Sequence, residues 1–166
     1  MTFLARVILD YPFGRGSLLL RLFFSSSMLV FYFYLAFQTA EEFFHLGFIV
    51  SFVGYFLFSF LFRRWKLRQA FKEVLKRGEY KEVRRGGFYE LAYYSLMFFA
   101  PFFFFTFLDP VFAFGCLMGL SSSLGLSDLI FYLYVRNLED EFKVNLRAFV
   151  EPSEKRGYYI WGLMAE

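Results

Sequence analysis

The chain has 166 residues, of which 58% are hydrophobic and 26% aromatic, including 29 phenylalanines. Soluble domains average about 45–50% apolar residues, so this composition excludes an ordinary soluble domain and favours an integral membrane protein. The formal net charge is +3, but no DNA- or RNA-binding motif accompanies it, so nucleic acid is not an expected partner. The single cysteine, Cys116, excludes an intramolecular disulfide.

Four long apolar runs divide the chain. They cover residues 18–40, 43–62, 91–108 and 110–135. About 20 residues of α-helix cross the hydrocarbon core of a bilayer, and runs that are apolar on every face do not fit the alternation of a β-barrel strand. The pattern predicts an all-α integral membrane protein with one domain, residues 1–166, in which four transmembrane helices form two antiparallel hairpins.

The segment before the first run, residues 3–10, is predicted to form a short interfacial helix, which Pro12, Gly14 and Gly16 end. The run itself is interpreted as an uncleaved signal anchor, because it starts late and three more apolar runs follow it. Arg21 lies one turn inside this run, where its side chain can reach the lipid headgroups.

The basic residues lie on one side of the predicted spans. The loop between the second and third runs, residues 63–87, has ten basic and three acidic residues. The two short turns on the opposite side carry Glu41, Glu42 and Asp109 and no basic residue. Because cytoplasmic loops retain Lys and Arg, the pattern predicts a multi-pass protein of the cell membrane, with both termini in the cytoplasm. Anionic lipid headgroups are its expected partners.

Part of this basic loop has helical periodicity. Its apolar positions are Leu67, Phe71, Val74 and Leu75. The basic positions that run alongside them are Arg64, Arg68, Lys72 and Lys76. The pattern predicts an amphipathic cytoplasmic helix over residues 64–77 that lies on the inner leaflet, with those four basic side chains in contact with lipid headgroups.

The tail, residues 136–166, fits two patterns. Its apolar residues have helical spacing up to Phe149, but residues 142–150 also alternate as a strand would, and residues 158–163 could return as a second strand. The helix is preferred, because an isolated hairpin is only marginally stable in water.

Small residues repeat every four positions along the fourth run. They are Gly115, Gly119, Ser123 and Ser127. Such spacing lets two membrane helices approach closely, so this face is predicted to pack against another helix. A helix of the same chain is preferred as the partner. A homodimer seam and a pore lining are the alternatives. For the protein as a whole, another membrane protein or a homo-oligomer is the candidate partner besides lipid.

Asp128 is an acidic residue well inside the fourth predicted span. If the membrane boundary lies near Val135, Asp128 is about 10 Å deep by helix rise. A carboxylate at that depth is costly unless it is paired or neutral. Arg21 is the expected partner, because both residues lie in the cytoplasmic halves of their spans. The alternative is a carboxylate that binds protons or cations.

The outer turns bring together several possible metal ligands. Glu42 and His45 have the i,i+3 spacing of carboxylate-bridged metal sites, but the chain has only one histidine. Glu41, His45 and Asp109 could form a mononuclear zinc site, although two of its ligands would be hard carboxylates. A solvated acidic rim is preferred, and neither a metal nor another cofactor is expected.

The chain contains none of the common motifs for nucleophilic, zinc-peptidase, phosphate-loop or disulfide chemistry, so no catalytic residue is assigned. The preferred interpretation is a non-enzymatic accessory, scaffold or assembly subunit that acts through helix packing and a basic membrane-facing surface. A small transporter or channel with Asp128 as its ion or proton site is the first alternative, and a lipid-modifying membrane enzyme is the second. The scarcity of Asn and Gln, two of each, predicts a thermophilic source.

Overall fold

Three long helices and a small sheet are seen in the part of the chain that the structure describes. The computed structural model describes residues 6–38, 41–85, 92, 95, 107–153 and 158–166. The helices are α1 (Arg15–Gln38), α2 (Glu42–Arg77) and α3 (Pro110–Phe142). The strands are β1 (Val7–Asp10), β2 (Glu79–Arg85), β3 (Leu146–Pro152) and β4 (Tyr158–Ala165).

Each of the three helices is long and apolar enough to cross a membrane. In the 18 most apolar consecutive residues of each helix, the buried fraction is 17% in α1, 22% in α2 and 44% in α3. The central position therefore belongs to α3, and the other two helices turn most of their apolar surface outward. The third predicted span, residues 91–108, lies almost entirely outside the described residues.

The second helix is much longer than a membrane crossing requires. Its 36 residues correspond to about 54 Å at 1.5 Å per residue, whereas a hydrocarbon core is about 30 Å thick. No proline interrupts it, and it ends where Gly78 adopts φ 80° and donates its backbone N–H to the carbonyl of Val74. Residues 64–77 are therefore a continuation of the second span rather than a separate helix.

The four strands form one antiparallel sheet in the order β1-β3-β4-β2. β3 and β4 are a hairpin, to which the edge strands are added from distant parts of the chain. Val7 of β1 lies opposite Val150, and Glu79 of β2 lies opposite Met164. The sheet lies where α1 begins and α2 and α3 end. We call this the sheet end of the helices, and the opposite end the turn end.

One face of the sheet packs against the last turns of α2 and α3. The buried residues of this core are Leu67, Ala70, Phe71, Val74, Phe131, Val135, Leu146, Ala148 and Leu163. Burial of one such aliphatic or aromatic side chain contributes about 1.5–3 kcal/mol to folding. The amphipathic periodicity of residues 64–77 is therefore real. Leu67, Phe71 and Val74 are buried against protein whereas Leu75 is half exposed, so the prediction that the apolar face lies on a lipid leaflet is wrong.

The opposite face of the sheet is covered by charged residues. Phe149 is fully buried there and lies across from Gly162, where any side chain would collide with the aromatic ring. The guanidinium of Arg6 stacks 3.5 Å from the centre of this ring and lies 3.3 Å from Glu79 and 3.2 Å from Glu151. A cation–π contact and two ion pairs thus seal the ring from solvent.

The prediction of an all-α, four-helix fold is wrong, because the described residues contain three helices and a four-stranded sheet. The expected interfacial helix over residues 3–10 is also wrong, since Val7–Asp10 is an edge strand. The tail continues α3 to Phe142 and then forms a hairpin. This hairpin is not isolated in water, because it pairs with two further strands and packs on α2.

Glycines allow α3 to pack directly against both other helices. A Cβ atom at Gly115 or Gly119 would collide with the backbone carbonyl oxygen of Phe44 or Phe48, respectively, on α2. These contacts advance in the same direction along both helices, so α2 and α3 run parallel. Gly125 approaches the backbone of α1 in the same way. Backbones this close leave no space for a side chain between them.

We expect Gly119→Leu to destabilise the protein by about 3 kcal/mol or more, because the new side chain must separate two packed backbones. Thermal unfolding in detergent measures this. Gly54→Leu is the matched control, since a side chain at Gly54 meets nothing within 4 Å. Equal melting temperatures for the two variants would contradict the close packing of α2 against α3.

Candidate functional site

Asp128 lies near the sheet end of α3 and is only 1% exposed. Its Oδ2 accepts a hydrogen bond from Nη1 of Arg21 on α1 at 2.8 Å. Its Oδ1 accepts another from Nη1 of Arg63 on α2. One carboxylate thus joins all three helices, and we call Arg21, Asp128 and Arg63 the charged triad.

The approach of the helices determines this geometry. A Cβ atom at Gly125, three residues before Asp128, would lie 2.6 Å from the carbonyl oxygen of Arg21. The two backbones are therefore close enough for the Arg21 side chain to reach the carboxylate. Side chains on a helix lean toward its N-terminus, so Arg63 extends back along α2 toward Asp128. Sequence reasoning missed Arg63, because it had been assigned to the basic loop.

Aromatic rings cover the charged triad at the sheet end. The guanidinium carbon of Arg21 lies 4.6 Å from the centre of the Phe13 ring, and that of Arg63 lies 5.9 Å from the same ring. Tyr11 contacts Phe131 edge-on at 6.5 Å. Burial raises the pKa of Tyr11, although the charge of Arg63 works in the opposite direction, so this phenol stays neutral. The rings restrict the access of water to the ion pairs.

The charged triad carries two positive charges and one negative charge. Arg21 keeps 47% of its side chain exposed at the protein surface, whereas the side chain of Asp128 is 1% exposed. A buried carboxylate is stable only when its oxygens are paired, and here both are occupied. This arrangement pairs each oxygen of Asp128 with one guanidinium and connects the three helices.

Serines on α3 form a polar seam beside the charged triad. The Ser25 hydroxyl on α1 donates to the carbonyl of Ser122, and its oxygen accepts a hydrogen bond from the N–H of Gly125 at 3.2 Å. Ser123 is fully buried and donates to its own helix. The hydroxyls of Ser122 and Ser127 are buried without a partner among the described residues. Of the four predicted packing residues, the two glycines contact α2 and the two serines are buried.

Arg136 does not take part in the charged triad. Its Nη1 lies 2.6 Å from Oε2 of Glu139, and its Nε donates to the hydroxyl of Tyr132 at 3.1 Å. Glu139 is buried and also accepts the backbone N–H of Leu146 at 2.7 Å. This second buried carboxylate, which sequence reasoning did not find, fixes the turn between α3 and β3. Glu139 lies beyond residue 135, where the fourth predicted span ends, so no sequence pattern indicated that its side chain is buried.

The predicted metal ligands at the turn end have other contacts. His45 Nδ1 lies 3.0 Å from the hydroxyl of Tyr32. Asp109 caps α3, because its Oδ1 accepts the N–H groups of Val111 and Phe112. Glu41 is exposed just before α2. Nowhere in the described residues do three His, Cys, Asp or Glu side chains lie close enough together to hold a metal ion.

The four predicted headgroup residues divide into two pairs. Lys72 and Lys76 are exposed on the part of α2 that packs under the sheet. Arg64 and Arg68 lie nearer the apolar part of α2 and both contact Tyr134 of α3.

Comparison with models of protein families, with curated proteins and with solved structures finds no match to this chain. The features that bear on function are the geometry of the charged triad, the helix packing and the distribution of basic residues. None of these assigns a reaction.

We expect Asp128→Asn to lower the free energy of unfolding by about 3 kcal/mol, because it leaves two guanidiniums facing each other without a counter-charge. Thermal unfolding in detergent provides the measurement, with Asp140→Asn on the exposed side of the same helix as the control. A triple variant, Arg21→Met with Arg63→Met and Asp128→Leu, should recover much of the loss. An Asp128→Asn protein as stable as the control would show that the charged triad does not hold the helices together.

Proposed function

We propose that this protein is a non-enzymatic membrane scaffold or accessory subunit. In this proposal the helices cross the membrane and carry the sheet on its cytoplasmic side. The observation that supports it best is the charged triad, in which a nearly inaccessible carboxylate joins three helices. A carboxylate that pairs with two other helices stabilises a fixed arrangement of the three helices, and a scaffold requires such an arrangement. The distribution of Lys and Arg supports the cytoplasmic assignment of the sheet end.

The close glycine contacts also support a rigid scaffold. Backbones packed at Gly115 and Gly119 have little freedom to separate, whereas alternating access requires parts of a transporter to move against each other. The outward surfaces of α1 and α2 are rich in large apolar side chains, such as Phe23 and Phe58. These surfaces are available to lipid or to another membrane protein.

Photo-crosslinking tests the scaffold role directly. A photoreactive amino acid replaces Phe23 on α1 or Phe58 on α2, and the variants are expressed in the native membrane. Lys81 on the sheet is a third position outside the helices. We expect a protein adduct of one defined mass from at least one position. Adducts with lipid alone at all three positions would contradict a scaffold role.

Labelling of engineered cysteines tests the membrane orientation. We expect Glu82→Cys on β2 to react with a membrane-impermeant maleimide only after the cells are opened, and Glu41→Cys at the turn end to react in intact cells. The native Cys116 is replaced by serine in both variants. Reaction of Glu82→Cys in intact cells would invert the proposed orientation.

A small transporter with Asp128 as its ion site is the second candidate function. The unpartnered buried hydroxyls of Ser122 and Ser127 favour it, because they extend a polar seam beside the carboxylate. Reconstitution in liposomes separates the two candidates. We expect proton and sodium fluxes no faster than in protein-free vesicles. A flux that Asp128→Asn abolishes, while the fold is retained, would instead establish transport.

A further inference from the structure

Two arginines on α2 flank one tyrosine in the groove between α2 and α3. The guanidinium carbon of Arg64 lies 5.2 Å from the centre of the Tyr134 ring. One turn further along, Nε of Arg68 lies 3.4 Å from the Tyr134 hydroxyl. The ring itself is held edge-on by Phe60 at 6.1 Å. Tyr134 therefore contacts both guanidiniums, one through its ring and the other through its hydroxyl.

Neither of these arginines has a counter-charge among the described residues. Arg21, Arg63 and Arg136 each bind a carboxylate, but in the described part of the chain no carboxylate oxygen lies within 4.0 Å of Arg64 or Arg68. The Nε of Arg64 is also buried without a hydrogen-bond partner there. A buried N–H donor of a charged group is costly to leave unpaired, so Arg64 has a donor that no described residue of the chain satisfies.

The spacing of the two arginines suits a phosphate group. Residues four apart on a helix are separated by about 6 Å along its axis and point to the same side. A phosphate placed between them can accept hydrogen bonds from both guanidiniums, whose planar forks match its oxygens. Two unpaired positive charges require a ligand that carries at least one negative charge.

The surroundings of the arginines indicate a lipid as the source of that phosphate. Leu61 and Trp65, on the same stretch of α2, are each 56% exposed, so apolar surface adjoins the charged groups. Arg64 follows about 22 residues of apolar helix from Glu42, which places it near the headgroup layer if α2 spans a bilayer. Tryptophan and tyrosine are enriched at that level.

We propose that Arg64, Arg68 and Tyr134 form a binding site for the headgroup phosphate of an anionic phospholipid. The guanidiniums hold the phosphate from two sides, the Tyr134 hydroxyl orients Arg68, and the acyl chains lie against the apolar surface of α2. This site does not depend on the proposed scaffold role, because it concerns a lipid ligand rather than a protein partner.

Native mass spectrometry of the full chain in detergent tests the site. Delipidated protein is titrated with phosphatidylglycerol and, separately, with phosphatidylcholine. We expect one phosphatidylglycerol to bind at least about tenfold more tightly than phosphatidylcholine, because choline would bring a positive charge to the arginines. Arg64→Gln with Arg68→Gln should weaken phosphatidylglycerol binding by about tenfold or more. Lys72→Gln with Lys76→Gln removes the same charge from the same helix and should change it less than about twofold.

Two further variants and a competitor complete the test. Arg64→Lys with Arg68→Lys keeps both charges but loses the forked donors, so it should also weaken binding, whereas Tyr134→Phe should weaken it less. Thermal unfolding verifies that each variant is folded. Equal losses in the arginine and lysine double variants would reduce the site to general surface charge and overturn the proposal. Displacement of the lipid by inorganic phosphate at an equal concentration would also overturn it.

Discussion

The buried carboxylate of Asp128 is the constraint on which the arrangement of the helices depends. A carboxylate removed from water must have its oxygens paired, and Asp128 takes one partner from each neighbouring helix. These pairs are possible only because glycines let α3 approach both helices at backbone distance. Small residues and a buried charge therefore act together: the small residues bring the helices into contact, and the ion pairs fix their rotation and register.

The basic residues serve several purposes that a charge count does not separate. Arg21 and Arg63 turn inward and neutralise a buried acid. Arg6 covers an apolar ring on the outer face of the sheet. Arg64 is next to Arg63 in sequence and Arg68 is little more than one turn away, but both face the groove beside Tyr134. All these residues lie toward the sheet end of the helices, and the neighbours of each residue in the fold determine its contacts.

Part of the candidate site could be predicted from the sequence and part could not. An acid at the depth of Asp128 requires a cation, and Arg21 was expected to supply it because the two residues lie at similar depths. Arg63 was assigned to the basic loop, since it directly follows an apolar run. Its role depends on the continuation of α2 past residue 62 and on the packing of α2 against α3, and this packing cannot be read from local sequence.

The sequence by itself determined the long apolar helices predicted over residues 18–40, 43–62 and 110–135, together with the one-sided distribution of charge and the helical period of residues 64–77. Each of these follows from composition and local spacing. Only the tertiary structure decided what the apolar face of residues 64–77 covers. It also decided that the tail and the N-terminal segment belong to one sheet. Strand β1 pairs with residues about 140 positions later, and the strongly charged β2 becomes a strand through its pairing with β4. Strand pairing is a contact between distant segments, so no local pattern in either segment specifies it.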